Sequence, residues 1–293
     1  AIGPRLGEAT TGGYTLIEAP RPRQTLVHVH ASAEELHRVY QADLAINATM
    51  GAAAQSLATL APPAAVRWSA WTAACHEDYL ANREPQPLQG EIDMPAIDMP
   101  AIVATLERLL PPHAVLTNGA GNFASWLHRF FRYPGLAQGA KTQLAPALGA
   151  MGYGVPAGVA AAIADPGRTV LTLTGDGDFL MTGQELATAV QHGAKTIVVL
   201  LNNGMYGTIR MHQEREYPER VAGSTLHNPD FAALARSYGY AGVRIERTEQ
   251  FEPELRAALA RSEGTLIEVM LDPELLTTRA TLAEITRASL QKQ

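Results

Sequence analysis

Two stretches decide the fold: LTGDGDFLMTGQELATAV, residues 173–190, and VVLLNNGMYG, residues 198–207. Each starts as an apolar run and then turns polar, in Gly-Asp-Gly in the first and in Asn-Asn-Gly in the second. Near-continuous apolar runs predict strands that are buried on both faces of a parallel sheet. Because ligands of such sheets bind outside the carboxyl ends of the strands, these polar residues are candidates for chemistry.

The rest of the second half repeats this alternation of strand and helix. Strands are predicted at 114–118, 141–145, 168–175, 195–203, 240–245 and 264–271, with helices at 122–131, 150–164, 183–193, 229–239 and 251–262. Asn228 and Pro229 offer an N-cap and a first-turn proline for the fourth of these helices. The predicted fold class is α/β: a doubly wound parallel sheet with helices on both faces, preceded by a partial second α/β domain.

The first hundred residues contain fewer elements. Strands are predicted at 24–31 and 44–49, and helices at 32–41, with Ser32 as N-cap, and at 51–61. We therefore predict the C-terminal half of a central domain at 1–62, a helix and linker at 63–102, a main domain at 103–275 and a helical tail at 276–293. The linker repeats IDMPA at 92–96 and 97–101, which indicates a local duplication of unknown origin.

Composition excludes several classes of protein. A net charge of −6 and a pI of about 5.9 give no basic surface for nucleic acid or an anionic membrane. No apolar run reaches the length of a membrane span, and no secretory signal pattern is present. Cys75 is the sole cysteine, so an internal disulfide or a cysteine zinc site is excluded, and a reducing cytoplasm is the simplest location.

The chemistry predicted at the strand ends is magnesium binding. Mg²⁺ prefers oxygen ligands and takes one or two carboxylates, carbonyls and phosphate oxygens. Asp176 and Asn203 follow strands that a single βαβ step separates, so their side chains are expected to meet at one edge of the sheet. Gly175 and Gly177 allow backbone amides to approach an anion. Either motif by itself is more commonly a turn.

This pairing of GDG with NN resembles the signature of thiamine diphosphate enzymes, the group that includes acetolactate synthase, benzoylformate decarboxylase and glyoxylate carboligase. The stretches TNGAGNFASW, 117–126, and ALGAMGYGVPAGVAAA, 147–162, are similar to glycine-rich segments of that family. Residues 5–48 resemble the latter half of its central domain. The resemblance covers nearly the whole chain and is strongest to acetolactate synthase-like large subunits.

The resemblance implies a set of site residues. Asp176 and Asn203 would bind Mg²⁺ through their side chains, and Met205 through its carbonyl. Met151 would hold thiamine diphosphate in its bent form, and Gly149 would meet its pyrimidine ring. Asp178 stands where serine is commoner, and its side chain is expected to point away from the phosphates or to reach the metal through water. The cofactor-binding set is Gly119, Asn122, Gly149, Met151, Gly175, Asp176, Gly177, Asp178, Asn203, Tyr206 and Gly207.

The resemblance also implies the reaction and the partners. The substrate would be a 2-oxoacid such as pyruvate, and the full-length protein a homodimer or homotetramer. The glutamate that activates the cofactor is expected in an N-terminal domain that this sequence does not show, so we expect a C-terminal fragment that is inactive alone. FAD binding is left open. Glu185 is expected on a solvated helix surface or in a helix cap. Arg210, His212, Arg215 and Arg220 could meet a carboxylate substrate, but a salt-bridged helix surface is the stronger expectation for each.

Two further hypotheses stay open at this point. The chain could be a non-catalytic module or degenerate subunit that binds thiamine diphosphate, although the intact Asp176 and Asn203 favour a working site. It could also be an unrelated Mg²⁺-dependent phosphate enzyme, although the sequence lacks a P-loop motif. Carboligation and simple decarboxylation are not separable from these residues.

Overall fold

The computed structural model describes residues 1–85, 97–133 and 142–292. The chain divides into two compact units, Ala1–Ala73 and Ala74–Gln293. Residues 86–96 of the predicted helix and linker, which include the first IDMPA copy, lie outside the described residues, as does Lys141, the first residue of a predicted strand. The domain boundaries drawn at 62, 102 and 275 stay predictions.

The first unit is built on two parallel strands, β1 (Val27–His30) and β2 (Leu44–Asn47). Helix α1 (Met50–Ala58) follows, and the Thr49 side chain accepts a hydrogen bond from the backbone N–H of Ala52 at its start. The helix predicted at 32–41 is wrong, because this segment makes only one 3₁₀ turn, Ala33–Glu35, and Ser32 forms no side-chain cap. His37 has a φ of 62°, and such a left-handed residue ends a right-handed helix.

The second unit is a six-stranded parallel sheet in the order β4-β3-β5-β6-β8-β7. Its strands are β3 (Val115–Asn118), β4 (Gln143–Leu144), β5 (Val170–Gly175), β6 (Ile197–Asn202), β7 (Ala241–Ile245) and β8 (Thr265–Met270). Its helices are α3 (Met99–Leu109), α4 (Ala124–Phe130), α5 (Gly154–Ala164), α6 (Asp176–Thr182), α7 (Glu185–Gln191), α8 (Gly207–Glu216), α9 (Phe231–Ser237), α10 (Phe251–Ala260) and α11 (Leu282–Leu290), while α2 (Ser69–Arg83) crosses from the first unit into the second.

Helices cover both faces of this sheet. Alternate residues of β6 enter two separate cores: Val199 packs with residues of α3, α4 and α10, whereas Leu200 packs with residues of α5, α7 and α9. Every residue of β5 and β6 is buried, and their sequences are apolar except for two threonines in β5 and Asn202 at the end of β6. The predicted doubly wound α/β fold is confirmed. Among the described residues, no helix has both the length and the apolar character needed to span a bilayer.

Three details near the strand ends differ from the sequence prediction. Helix α6 begins at Asp176 itself, directly after β5, where a loop was expected before the helix at 183–193. Helix α8 is not among the helices predicted from the sequence. Helix α9 is capped by Asp230, whose side chain accepts a hydrogen bond from Ala233 N–H, so the predicted Asn228 cap is wrong.

A close backbone contact places the loop that follows β3. A Cβ on Gly154, at the start of α5, would lie 2.6 Å from the backbone nitrogen of Gly119. Only glycine allows this approach, so the sequence GYGVP brings α5 against the end of β3. The loop at 119–121 is thereby held at the end of β3, next to the end of β5.

Candidate functional site

A cavity of about 410 Å³ opens at the carboxyl ends of β3, β5 and β6. It has the size of a small-molecule site. With the exception of Gly119, every residue that the sequence predicted for the cofactor or metal lines it. The lining residues are Ala120, Gly121, Asn122, Phe123, Trp126, Gly149, Met151, Gly175, Asp176, Gly177, Asp178, Leu201, Asn203, Met205, Tyr206, Gly207, Thr208, Ile209, Leu271, Leu275 and Leu276.

Asp176 is the first residue of α6, and only 2% of its surface is exposed. Its Oδ1 accepts a hydrogen bond from the N–H of Gly177 at 2.9 Å. Its Oδ2 accepts two, from Gly204 N–H at 2.8 Å and from the side-chain amide of Asn228 at 2.7 Å. Burial raises the pKa of this carboxyl above its ordinary value, and the hydrogen bonds act in the opposite direction.

The second strand end contributes Asn203 and the turn after it. Asn203 Oδ1 accepts a hydrogen bond from Met205 N–H at 3.3 Å, which folds the turn back towards β6. The N–H of Tyr206 donates to Ser224 O at 2.9 Å and is therefore engaged within the protein. Gly207 and Thr208 form the first turn of α8, where backbone N–H groups lack intrahelical partners.

Asp178 ties three segments together. Its Oδ2 accepts a hydrogen bond from the Thr174 hydroxyl at 2.6 Å, and its Oδ1 accepts from Gly152 N–H at 2.8 Å and Ala120 N–H at 3.2 Å. It is 2% exposed, and burial raises its pKa while these bonds lower it. The carboxylate thus joins β5 to the two glycine-rich loops. Gly119 has a role here, because a Cβ at this position would overlap the Asp178 carboxylate.

Glycines also shape the wall of the cavity. A Cβ on Gly177 would lie 2.6 Å from the Tyr206 ring, and one on Gly175 would lie 2.8 Å from the Phe123 ring. Gly149 has a φ of 66°, which side chains rarely tolerate. Larger residues at these positions would displace the aromatic rings or strain the loop.

Sequence reasoning missed two residues that support Asp176. Asn228, 52 positions further along the chain, donates to the Asp176 carboxylate and to Asn202 Oδ1. Glu268, in the middle of β8, is fully buried and accepts a hydrogen bond from Asn202 Nδ2 at 2.7 Å. The sequence did carry a signal for Glu268, because a carboxylate inside an otherwise apolar strand must find partners.

Several candidates lie apart from the cavity. Glu185 begins α7 and accepts a hydrogen bond from the Thr188 hydroxyl. Arg210 forms an ion pair with Glu214 at 2.8 Å, and the Arg220 guanidinium lies 5.7 Å from the centre of the Tyr217 ring. None of these residues, nor His212 or Arg215, lines the cavity. Glu185, Arg210, His212 and Arg215 lie on helices α7 and α8, as expected. Arg220 follows the end of α8, so its predicted position on a helix surface is wrong.

Comparison with known proteins decides the family. Residues 119–269, more than half of the chain, match the family described as thiamine pyrophosphate enzyme, C-terminal TPP binding domain. The chain belongs to this family. Thiamine pyrophosphate is the same molecule as thiamine diphosphate, and the matched range contains every residue of the predicted site.

Relatives of this chain include acetolactate synthases. The chain is 32% identical over 277 residues to the acetolactate synthase large subunit of Parasynechococcus marenigrum (strain WH8102), an alignment that covers 92% of this chain and 42% of that protein. It is 29% identical over 273 residues to acetolactate synthase isozyme 2 large subunit of Escherichia coli (strain K12), covering 93% and 47%. It is 28% identical over 279 residues to acetolactate synthase 2, chloroplastic, of Zea mays, covering 92% and 43%. The chain therefore spans less than half the length of these relatives.

Proposed function

We propose that this chain supplies the diphosphate- and magnesium-binding half of the active site of a thiamine diphosphate-dependent enzyme of the acetolactate synthase type. The observation that carries the proposal is the meeting of Asp176, Asn203 and Met205 in one cavity of the family's cofactor-binding domain. Its substrate would be a 2-oxoacid such as pyruvate, and its assembly a homo-oligomer.

The donor set suits magnesium. Carboxylate, amide and main-chain oxygens are the hard ligands that Mg²⁺ takes from proteins, and phosphates and water complete its octahedron. Asp176 Oδ1 holds a single hydrogen bond from a described residue, whereas Oδ2 holds two, so Oδ1 has capacity left for a cation. Asn228 Oδ1 is buried and has no hydrogen-bond partner among the described residues.

The charge of the cavity supports a requirement for that metal. Asp176 and Asp178 line it, and the described lining residues include no lysine, arginine or histidine. A diphosphate that enters beside two carboxylates needs a cation to screen the repulsion. The remaining stabilisation would come from N–H groups in the first turns of α6 and α8.

The protein's part in the reaction would be to hold and orient the cofactor. When bound, thiamine diphosphate supplies the electron sink that 2-oxoacid decarboxylation and carboligation need. Met151 and Gly149 would hold its bent form, and the apolar side chains Leu271, Leu275 and Leu276 would exclude water from one side of the cavity. The described lining residues include no glutamate, so the group that activates the cofactor would come from outside this cavity.

A calorimetric titration tests this function. Thiamine diphosphate is titrated into the chain with and without Mg²⁺, and into the Asp176→Asn variant. We expect binding that requires both the metal and Asp176. Asp98→Asn is the matched control, since Asp98 caps α3 by accepting from Ala101 N–H, and asparagine is an equally good cap. Metal-independent binding, or equal binding by Asp176→Asn, contradicts the proposal.

A further inference from the structure

The Asp176 carboxylate is the end of a series of hydrogen-bonded polar side chains. Asn228 Nδ2 lies 2.7 Å from Asp176 Oδ2 and 2.8 Å from Asn202 Oδ1. Asn202 Nδ2 lies 2.7 Å from Glu268 Oε1, and Glu268 Oε2 lies 2.9 Å from Arg244 Nε. These hydrogen bonds connect the candidate metal ligand to β6, to β8 and to the edge strand β7.

Three of the five members, Asp176, Asn202 and Glu268, are deeply buried, whereas Asn228 is half-buried. Asp176 is 2% exposed, Asn202 is 6% exposed and Glu268 is not exposed at all. Arg244 lies at the outer end, where 40% of its side chain is exposed. A buried network of this kind is stable only when each donor meets an acceptor, because an unpaired buried group is costly.

The donor and acceptor of every hydrogen bond in this series are fixed by the Glu268–Arg244 pair at its outer end. A carboxylate paired with a guanidinium offers acceptors and no donor, so Asn202 must turn its NH₂ group towards Glu268. Asn202 Oδ1 therefore faces Asn228, and Asn228 must donate to it from its own NH₂ group. That same NH₂ group donates to Asp176 Oδ2. A reversed amide at either asparagine would place two acceptors or two donors face to face.

The geometry points to a positioning role for Asn228, Asn202 and Glu268, which we name the Asp176 relay. This inference rests on the proposed function. With Gly204 N–H, the relay saturates Asp176 Oδ2 and fixes the carboxylate in one orientation, so that Oδ1 is the oxygen reserved for the cation. Groups behind a metal ligand commonly contribute 10–100-fold to metal affinity by this kind of orientation. We assign such a contribution to Asn228.

The alternative is a purely structural role, in which these side chains only form hydrogen bonds with one another and stabilise the fold. In that case, removing Asn228 would lower the melting temperature and leave the metal affinity alone. The two roles therefore differ in what the metal affinity does at temperatures well below the melting transition.

The test measures Mn²⁺ as a probe for Mg²⁺, with thiamine diphosphate present, by the electron paramagnetic resonance signal of the free ion. Asn228→Leu keeps the side-chain volume close to that of asparagine and removes both hydrogen bonds. We expect the Mn²⁺ dissociation constant to rise about tenfold or more. Asn228→Ser, whose hydroxyl or an admitted water can donate to Asp176, should restore part of the loss.

Asn47→Leu is the matched control. Asn47 Nδ2 also donates two hydrogen bonds, to His30 O and Ala31 O at 3.0 Å each, but it lies in the first unit. This variant should leave the Mn²⁺ dissociation constant within about twofold of the wild type. A change of equal size in Asn47→Leu and Asn228→Leu overturns the inference, as does an unchanged affinity in Asn228→Leu.

A second measurement needs no metal. In nuclear magnetic resonance spectra of the metal-free chain, the side-chain NH₂ protons of Asn202 and Asn228 should exchange slowly with solvent, and Asn228→Leu should shift those of Asn202. Exchange at the rate of a free amide overturns the relay. If the wild-type chain shows this protection but binds no Mn²⁺, the proposed function and the cation role are both overturned. If the wild type binds Mn²⁺ and Asn228→Leu binds it equally well, the relay alone is overturned.

Discussion

Replacing Asp178 by alanine should loosen two loops of the cavity at once. The carboxylate accepts from Thr174 Oγ1 at 2.6 Å, Gly152 N at 2.8 Å and Ala120 N at 3.2 Å. Each buried donor left unpaired costs about 1–3 kcal/mol. Removing a buried carboxylate also relieves its desolvation, which offsets part of that cost. We therefore expect Asp178→Ala to lower the free energy of unfolding by about 3–4 kcal/mol.

Asparagine at the same position provides the contrast. Its Oδ1 can accept from both backbone amides, and its NH₂ group can donate to the Thr174 hydroxyl, which can turn to Gly175 O at 3.2 Å. Asp178→Asn should therefore cost only about 1 kcal/mol. Serine is expected to be the commoner residue at this position among thiamine diphosphate enzymes, but it is too short to replace all three bonds. The loss of unfolding free energy in Asp178→Ser should therefore lie between those of Asp178→Ala and Asp178→Asn.

Urea unfolding followed by circular dichroism gives the free energies, and hydrogen exchange gives the location of the change. Exchange should speed up in Asp178→Ala at residues 119–121 and 150–153, and much less in Asp178→Asn. The reasoning is refuted if Asp178→Asn costs as much as Asp178→Ala, or if Asp178→Ala costs less than about 1 kcal/mol.

Three further predictions concern the scaffold. Gly154→Ala should destabilise the chain by about 1–3 kcal/mol in urea unfolding, because its Cβ would meet the Gly119 backbone nitrogen at 2.6 Å. Glu252→Gln should lower the melting temperature at pH 7 but not near pH 2: hydrogen bonds from Arg108 and then Arg256 lower the pKa of Glu252 from 4.5 to about 2, so its stabilising effect is present above pH 4.5 and is lost as the pH falls towards 2. Thr281→Ala should cost about 1 kcal/mol in urea unfolding, because it removes the capping box of α11.

Control variants and contradicting outcomes follow for these predictions. Gly51→Ala, where a Cβ meets nothing within 4 Å, should be neutral or stabilise by roughly 0.5 kcal/mol. If it is as damaging as Gly154→Ala, the close-contact argument fails. A melting-temperature gap for Glu252→Gln that persists unchanged from pH 7 to pH 2 contradicts the ion-pair explanation. Thr281→Ser keeps the capping oxygen and should retain most of the stability that alanine loses.

The sequence was sufficient to predict the main sheet because the apolar runs that identify its strands are local patterns. Apolar runs such as VVLLNN predict a strand buried on both faces, and such strands pair in parallel when helices separate them. Strands β5 and β6 are neighbours, with Gly175 opposite Leu201, so the residues that follow them necessarily meet. The predicted cavity residues were reached by this geometry together with the family resemblance.

What the sequence did not predict depends on contacts far along the chain. Helix α6 starts with Asp-Gly-Asp, which has poor helix propensity, and Phe179 is fully buried against Phe231 of α9, a contact that helps to hold it. Asn228 was assigned to a helix cap because Asn-Pro is a good local cap signal, but Asp230 takes that place and leaves Asn228 for Asp176. The helix expected at 32–41 does not form along its length, because His37 adopts a left-handed backbone conformation.

The most direct test of the account is a crystal structure of the chain grown with thiamine diphosphate and Mn²⁺, with an anomalous difference map recorded at the manganese edge. The account predicts one manganese peak bound by the Asp176 and Asn203 side chains and the Met205 carbonyl, with the diphosphate in the 410 Å³ cavity. A cofactor bound outside this cavity, or a manganese peak that does not contact Asp176, would contradict it.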